Sequence, residues 1–466
     1  MRIPAAFPLR AFRHCLALLI VVTSAAYGDD GEPDPTFANT GLALHEWPAN
    51  TIQAETTTGA VAADGSIIAA GWISYPSGQQ QFATTLLRYR SNGTPDPGFG
   101  IGGLATLDLD PAPQIQEIVY AVFPRTDGSL LMLAGIEIPG QMPFRSVLVS
   151  VRANGTLDTT FGSGGIRSID LSVFTESDVF MRTAAMQPDG KIVLAGINLY
   201  ADSYNVAVGR LLPDGSLDTS FSSDGWRTVG GLSAYDWAPE SIAFDDIGRI
   251  YVAGRADASA GDRPVIFRMS AAGLPDNSFG QYGDGALVLE DLQGSWTARA
   301  IVAAKRIIAG GFVSRRVFVA ITASSPNRAE IAAINENGSL SNSFGDAGFV
   351  DLTREEGSRI TALAMRGDQR LVAAGFIDPN GTGTGTDVYV ARMDFAGTLD
   401  PSFDGNGVAR YPLEPVGTTY DSVATLLLSA QRPVIIGAAF NNNLPRTYSA
   451  VMRLKSDAIF ADGFNG

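Results

Sequence analysis

The sequence predicts an all-β protein, a seven-bladed β-propeller of four-stranded antiparallel blades. Three observations predict this fold. Glycine supplies 52 of the 466 residues, about 11% against an average of roughly 7%, which favours a chain rich in turns. A motif recurs at intervals of about 60 residues along the chain, and each interval contains four short β-rich runs.

The repeat is marked by Gly-x-x-Asp-x-x-Phe with a further Gly four residues after the Phe, and we call each copy an anchor. A worn eighth copy has Asp457 and Phe460, and the steps between successive Phe residues are 62, 62, 60, 58, 65, 59 and 57 residues. Eight anchors therefore bound seven units. The first seven copies are Asp34 and Phe37, Asp96 and Phe99, Asp158 and Phe161, Asp218 and Phe221, Asp276 and Phe279, Ser341 and Phe344, and Asp400 and Phe403.

The four runs of each unit are labelled d, a, b and c in the order in which they follow an anchor. In the second full unit, Asp127-Gly128 separates runs a and b, and run b ends in a small residue and Gly at Ala134-Gly135. Run c usually ends in Arg, as at Arg152. Asn-Gly and Asp-Gly provide the positive φ of tight hairpins, so each unit is predicted to be an antiparallel meander.

A single meander has two faces to bury, and repeated sheets bury them against one another. Seven radial sheets form a closed propeller, which leaves only short, protected edges. A β-helix has much shorter coils, and an immunoglobulin-type array needs roughly 100 residues per domain. Tandem small β-domains are the main alternative.

The first 28 residues are predicted to be a secretory signal peptide, with cleavage after Ala26 or Gly28. Three Arg residues precede an apolar run at 16–22, and small residues follow it. We expect an exported protein, extracellular, at the cell surface or periplasmic, with one propeller over 29–466. Removal of the segment changes the formal charge from −15 to −18, because 48 acids then face 30 bases. It also removes the single Cys, so no disulfide is expected.

Composition narrows the expected partners. A strongly acidic chain is poorly suited to nucleic acid, which requires a surplus of Lys and Arg. Two His and one Cys do not make the usual zinc sites, and no apolar run reaches the roughly 20 residues that span a bilayer. We expect a monomer without a cofactor, and a protein or glycan as partner.

The repeated text resembles the delta-60 repeat family of exported bacterial proteins. An Arg precedes N/D-G-T/S-L-D-x-x-F, and the stretch from Asp189 to Gly196 reads D-G-K-I-V-L-A-G. The resemblance covers nearly the whole chain after the signal peptide. It implies a propeller-like fold and no particular activity. The departures are Ser341 in the sixth anchor, Ala304-Lys305 where the fifth unit lacks its Asp-Gly, and the missing Gly of the last anchor.

The anchor residues are interpreted as structural. Asp suits hydrogen bonding to backbone N–H groups two or three residues on, and Phe can bury its ring between neighbouring sheets. The alternative is a ring of bound calcium ions, one Asp per blade. Calcium takes six to eight oxygen ligands, usually from clustered acids, so one Asp per anchor falls short.

The two faces of the disc should differ. Up-and-down connectivity places the repeated a–b and c–d connections on one face and the variable d–a and b–c connections on the other. Run b to the end of run c spans 24 residues in the fifth unit and 14 to 17 elsewhere. That insertion carries Arg315, Arg316 and Arg328, which we interpret as binding residues, because variable loops on a fixed scaffold usually carry recognition.

The d–a connections add acids and aromatic side chains. Tyr235, Asp236, Trp237 and Trp296 are the candidates for stacking a sugar or holding a cation. The alternative is a solvated acidic surface with aromatic residues packed between blades.

Catalytic motifs are missing, since His45 is the only His after the signal peptide and no Gly-x-Ser-x-Gly accompanies it. The leading interpretation is a noncatalytic exported binding or interaction module that uses the variable face. One alternative is a propeller hydrolase or lyase acting on polysaccharide with acids around the channel. A third is a calcium-stabilised structural protein of the cell surface.

Overall fold

The computed structural model describes most of the chain from residue 30 to residue 456. The predicted signal peptide and the anchor residues Asp457 and Phe460 lie outside the described residues. The described ranges are 30–47, 51–76, 82–110, 115–137, 145–174, 178–200, 203–230, 236–257, 261–281, 284–324, 327–353, 357–378, 385–413, 419–441 and 446–456.

The predicted seven-bladed propeller is confirmed, because the described strands form seven four-stranded antiparallel sheets. Six blades follow the chain as strands a, b, c and d from the channel outwards. Blade one is β2 (Gln53–Val61), β3 (Ile67–Ser74), β4 (Phe82–Tyr89) and β5 (Leu104–Leu107); blade two is β6 (Gln116–Pro124), β7 (Leu130–Glu137), β8 (Arg145–Val151) and β9 (Ile166–Ser168); blade three is β10 (Asp178–Met186), β11 (Ile192–Tyr200), β12 (Ser203–Leu211) and β13 (Trp226–Val229).

The same order continues around the ring to a seventh blade that is built from both ends of the chain. Blade four is β14 (Asp236–Phe244), β15 (Ile250–Asp257), β16 (Arg263–Met269) and β17 (Ala286–Val288); blade five is β18 (Trp296–Ile307), β19 (Val313–Ser324), β20 (Asn327–Asn335) and β21 (Phe349–Asp351); blade six is β22 (Arg359–Met365), β23 (Leu371–Ile377), β24 (Asp387–Met393) and β25 (Val408–Tyr411); blade seven is β26 (Thr419–Ser429), β27 (Arg432–Asn441), β28 (Arg446–Arg453) and β1 (Leu42–Glu46).

Blade seven closes the ring without a covalent link. Strand β1 supplies its outer strand, with Leu42 opposite Met452 and Glu46 opposite Tyr448. The first anchor therefore completes the last blade, and its Asp34 accepts a hydrogen bond of 2.8 Å from Arg453 Nε.

The core lies between blades. Phe99, from the anchor of blade one, is fully buried in a cluster with Met132 and Val149 of blade two. Burying such a ring contributes about 1.5 to 3 kcal/mol, and each blade needs its neighbour to achieve it.

Strand a of every blade carries a β-bulge at the same place, four or five residues from its turn into strand b. An extra residue in a bulge bends the strand and redirects side chains. The bulged residues are Thr57, Tyr120, Arg182, Glu240, Arg299, Thr361 and Ala424.

The bulge explains the repeated Gly of run b, which pairs with the residue just before it in five blades. A Cβ at Gly375 would lie 1.8 Å from the carbonyl oxygen of Arg359, and one at Gly71 would lie 1.8 Å from that of Glu55. The expectation that strand b ends at this Gly is wrong, since β3 continues from Gly71 to Ser74.

Blade five departs from the predicted strand boundaries. The run ending at Gly311 is not strand b; Ala309–Gly311 form a short 3-10 turn between β18 and β19. Arg315 and Arg316 therefore lie at the start of strand b, beside the a–b turn, and not in a b–c loop. Their predicted place on the variable face is wrong, whereas Arg328, at the start of strand c, does lie at that end of the blade.

Among the described residues, no helix combines the length and apolar character that crossing a bilayer requires.

Replacing Gly375 by Ala tests the link between the glycine and the bulge. The added Cβ must displace strand a, and we expect the free energy of unfolding to fall by about 1 to 3 kcal/mol. Urea unfolding monitored by circular dichroism measures it. Gly98→Ala is the control, since Gly98 is exposed and its nearest atom would lie 3.4 Å from the new Cβ. Equal losses in both variants would contradict this explanation.

Candidate functional site

Each complete anchor holds an Arg between the Asp carboxylate and the Phe ring. In blade three, Arg210 Nε donates a hydrogen bond of 2.8 Å to Asp218, and the guanidinium carbon lies 4.8 Å from the centroid of Phe221. Arg210 Nη1 reaches the next blade, donating a 2.6 Å hydrogen bond to the carbonyl oxygen of Ala271. The side chain thus ties its own anchor to the neighbouring blade.

Five blades repeat this geometry, with Arg Nε to Asp Oδ2 distances of 2.6 to 2.8 Å and guanidinium to ring distances of 4.6 to 4.9 Å. The other carboxylate oxygen accepts a hydrogen bond from the N–H two residues on, which fixes the turn. The Arg, Asp and Phe triplets are Arg453, Asp34 and Phe37; Arg88, Asp96 and Phe99; Arg210, Asp218 and Phe221; Arg268, Asp276 and Phe279; Arg392, Asp400 and Phe403.

Blade two lacks the buried Arg, because Ser150 occupies its position on strand c. Asp158 is instead paired with the half-exposed Arg152 at 3.3 Å, and Arg167 lies over the Phe161 ring at 4.5 Å. This anchor is the more open one, with Phe161 only partly buried.

Blade five rebuilds its anchor with an Arg from another strand. Ala333 and Ser341 replace the Arg and the Asp, and Phe344 is fully buried against Phe318. Arg316 of strand b supplies the missing contacts: Nη2 donates to Ser343 at 2.6 Å and Nη1 donates to the Phe395 carbonyl of blade six at 3.2 Å.

These two contacts match those of the regular anchor Arg. In blade three, Arg210 likewise donates to Ser220, two residues after the anchor Asp, and to a carbonyl of the next blade. The interpretation of Arg316 as a ligand-facing side chain is therefore corrected. Its guanidinium is engaged within the ring, and burial together with Arg306 lowers its pKa.

Arg315 is also engaged, because it makes two hydrogen bonds to Asp246 of blade four, at 2.7 and 3.2 Å. The Arg315 contact and that of Lys305 lower the pKa of Asp246 to about 2, against the opposing effect of burial. Both arginines brace a long hairpin formed by the ends of β18 and β19, residues 303–316, which we call the blade-five hairpin.

The tip of the blade-five hairpin is apolar and exposed. Ile307, Ile308, Phe312 and Val313 are between 42% and 71% exposed. Beside them, Lys305 and Arg306 are exposed cations. Because monomeric proteins rarely expose contiguous large apolar side chains, this tip is a candidate interaction surface.

The aromatic candidates of the variable face are buried. Trp237 and Trp296 are each 1% exposed; Trp237 packs 4.9 Å from Phe267, and Arg328 lies over Trp296 at 5.5 Å. The expectation that these rings stack a sugar is therefore wrong, because neither face is available. Arg328 also donates to Glu330 at 2.6 Å.

The neighbouring acidic candidate has a local contact of its own. Asp236 accepts a hydrogen bond of 3.0 Å from the Tyr204 N–H. Tyr235 lies outside the described residues, as do most connections of the variable face, so the predicted role of that face stays a prediction.

The strands a of all seven blades surround a central channel with a cavity volume of about 860 Å³. The bulged residues line it as a ring. Arg182, Glu240 and Arg299 are consecutive members, and one Glu240 oxygen lies 3.7 Å from Arg182 and 3.8 Å from Arg299. The other charged lining residue among those described is Glu55, whose pKa burial raises.

Sequence reasoning missed two features of the site. The Arg to Asp spacing of eight residues is visible in Arg88 and Asp96, yet the recurring Arg was noticed only as a strand end. The bulge ring leaves no comparable signal, because its members are chemically different in every blade.

Metal ligation remains a prediction. Within the described segments, no group of three or more His, Cys, Asp or Glu side chains is placed to hold an ion. His45 lies edge-on to Trp47 at 4.8 Å, and burial lowers its pKa.

Fold and site together define a seven-bladed β-propeller with repeated interblade anchors and a polar channel. A protein-family model described as a domain of unknown function (DUF5122) beta-propeller matches residues 62–99 and 187–221. No curated protein matches the sequence.

Several solved structures share the architecture at low sequence identity. A polysaccharide lyase, Uly1, is 13% identical with a TM-score of 0.49, over 92% of this chain and 97% of that one. The WD40 domain of SCAP from fission yeast is 10% identical with a TM-score of 0.37, over 89% and 98%.

A Trypanosoma rangeli sialidase in complex with the inhibitor DANA is 9% identical with a TM-score of 0.41, over 86% of this chain. The chain spans 55% of that sialidase. At these identities the likeness concerns the fold alone.

Arg316→Ala should destabilise the protein by about 2 kcal/mol, since it removes a charged donor from Ser343 and Phe395. Arg306→Ala is the matched control; its side chain is exposed, and we expect a change within about 0.5 kcal/mol. Chemical denaturation of both variants gives the comparison. A stability of Arg316→Ala equal to that of wild type would show that Arg316 is not part of the anchor.

Acid should weaken the anchors. Burial alone would raise the pKa of Asp218, but hydrogen bonds from Ser220, Lys191 and Arg210 outweigh it and hold the pKa far below its usual range. The unfolded state then binds more protons below about pH 4, so the stabilisation is present above that pH and is lost as pH falls.

Asp218→Asn should cost about 3 kcal/mol at pH 7, because it leaves Arg210 buried without its partner. The slope of stability against pH between 5 and 3 should be smaller than in wild type. Urea melts across that range measure both effects, and an unchanged slope would count against the assignment.

Proposed function

We propose that the protein is a noncatalytic interaction module that binds a protein partner through the blade-five hairpin. The observation that supports this proposal is the group of four exposed apolar side chains at the hairpin tip. The hairpin is held in place by Arg315 on blade four and Arg316 on blade six, so its tip is presented by a fixed base.

Charge favours an acidic partner. Arg306 is exposed, and Lys305 shares Asp246 with Arg315 at 3.1 Å. A partner with an apolar groove bordered by carboxylates would accept Ile307 and Phe312 while pairing with these cations. Such complementarity chiefly increases the association rate and the specificity.

The surroundings of the hairpin favour a protein over an anionic membrane or a second copy. Asp64, Asp127, Asp189 and Asp368 of the a–b turns are exposed on the same face and would repel an anionic bilayer. Two copies joined hairpin to hairpin would bring like charges together, which opposes edge pairing.

The polysaccharide enzyme alternative depends on neighbouring carboxylates, which supply general acid and base. The two acids of the described channel lining, Glu55 and Glu240, lie on blades one and four, nearly opposite each other in the ring. No observation in the described lining favours that alternative. Export of the protein stays a prediction from the first 28 residues.

Site-directed photo-crosslinking in the producing cells tests the proposal. A crosslinker at position 312 should capture one acidic protein, and one at Ile101 should not. Ile101 is the matched position, because it is 91% exposed on the same face. The captured protein, once purified, should bind wild type with a Kd that rises at least about tenfold for Phe312→Ser.

Charge reversal and two further probes decide between occupants. The double variant Lys305→Glu, Arg306→Glu should weaken binding of the purified partner, most strongly at low salt. Flotation with vesicles containing anionic phospholipid that requires Phe312 would overturn the proposal in favour of a membrane. Concentration-dependent dimerisation abolished by Phe312→Ser would overturn it in favour of a second copy.

A further inference from the structure

The central channel holds a second group of functional side chains, separate from the blade-five hairpin. Arg182, Glu240 and Arg299 occupy the bulge position in blades three, four and five. Because the bulge places one extra residue in each strand a, these three side chains meet at the same level of the channel wall.

The two guanidinium groups keep most of their donors. Each approaches the same Glu240 oxygen at 3.7 to 3.8 Å, which is an ion pair but too long for a hydrogen bond. The side chains of Arg182 and Arg299 are 38% and 41% exposed to the channel. Every other channel cation would have to come from outside the described lining, in which these are the only two.

The wall beside them is rich in hydroxyl groups. The residue after the bulge is Thr58, Thr183, Ser241 or Thr425 in four of the blades, and all four line the channel. In two blades the bulged residue is itself Thr: Thr57 donates 2.7 Å to Val119 O, and Thr361 donates 2.9 Å to Val423 O. Their oxygens retain lone pairs that can accept hydrogen bonds from a ligand.

We propose that the channel binds a sugar acid, with its carboxylate between Arg182 and Arg299 and its hydroxyl groups on the Thr and Ser side chains. A guanidinium binds a carboxylate through two parallel hydrogen bonds. The volume of about 860 Å³ lies within the usual range of small-molecule sites.

The charge of the cluster selects a single negative charge. Two arginines and Glu240 sum to +1, which a carboxylate neutralises, whereas a phosphate dianion would add repulsion from Glu240. A neutral sugar would leave both guanidinium groups without their anion.

Isothermal titration of the full chain with D-galacturonate, D-glucuronate and trigalacturonate tests the proposal, with D-galactose and inorganic phosphate as comparison ligands. We expect saturable binding of a uronate, at least tenfold tighter than galactose. Arg182→Ala and Arg299→Ala should each weaken that binding at least about tenfold, since each removes hydrogen bonds to a charged group.

Two further variants sharpen the test. Arg145→Ala is the control: its side chain is 46% exposed and pairs with Asp110 outside the described channel lining, so uronate affinity should stay unchanged. Glu240→Gln should tighten uronate binding and raise the affinity for phosphate, because it removes the competing carboxylate. Circular dichroism checks that each variant folds.

The contrary results are distinct. Failure of every uronate to bind wild type would overturn the proposal, as would uronate binding that both Arg variants retain at full strength. Phosphate binding tighter than any uronate would overturn the sugar acid in favour of an inorganic anion. None of these results bears on the blade-five hairpin.

Discussion

The closed ring depends on one repeated contact, an Arg held between an Asp carboxylate and a Phe ring. Arg268 and Arg392 are almost completely buried, and a buried cation is tolerated only when its donors are satisfied. Each such Arg meets that condition with its own anchor and with an acceptor on the neighbouring blade; Arg392, for example, donates to Asp30. A blade separated from its neighbour would leave this charge without an acceptor and expose the Phe. Closure and local turn geometry are therefore coupled, and the last blade uses the same contact, from Arg453 to Asp34, in place of a covalent link.

Repetition is the reason that the fold could be predicted from the sequence. A propeller needs the same turn, the same buried ring and the same strand lengths in each blade, so the Asp, the Phe and the Asp-Gly pairs recur in register. The strand boundaries were less accessible. The Gly of run b suggests a strand end, but it marks the place where strand a bulges against strand b, and a clash such as that between Gly375 and the Arg359 carbonyl is a tertiary constraint. Short-range patterns cannot distinguish a Gly that ends a strand from one that makes room for a neighbour.

Sequence reasoning placed the candidate residues less well, for a physical reason. Exposed arginines and tryptophans are residue types typical of binding sites, yet the same types fill interblade gaps. Trp237 and Trp296 fill the core near the variable face, and Arg316 completes the anchor that Ala333 and Ser341 leave open. Conversely, the Arg182 and Arg299 side chains come together only through bulges in separate blades. One-dimensional spacing contains no sign of that meeting.

Blade five shows how a break in the repeat is compensated. Loss of the anchor Asp and of the strand c Arg removes the tie to blade six, and a longer β18 and β19 bring Arg316 to the same acceptors. The extension that carries Arg316 also carries Ile307 and Phe312 beyond the surface of the disc. The exposed tip and the replacement anchor are thus two ends of one structural change. Shortening the hairpin to the length of the other blades would remove both, so the apolar tip cannot be lost without weakening the ring unless Arg316 is kept in place.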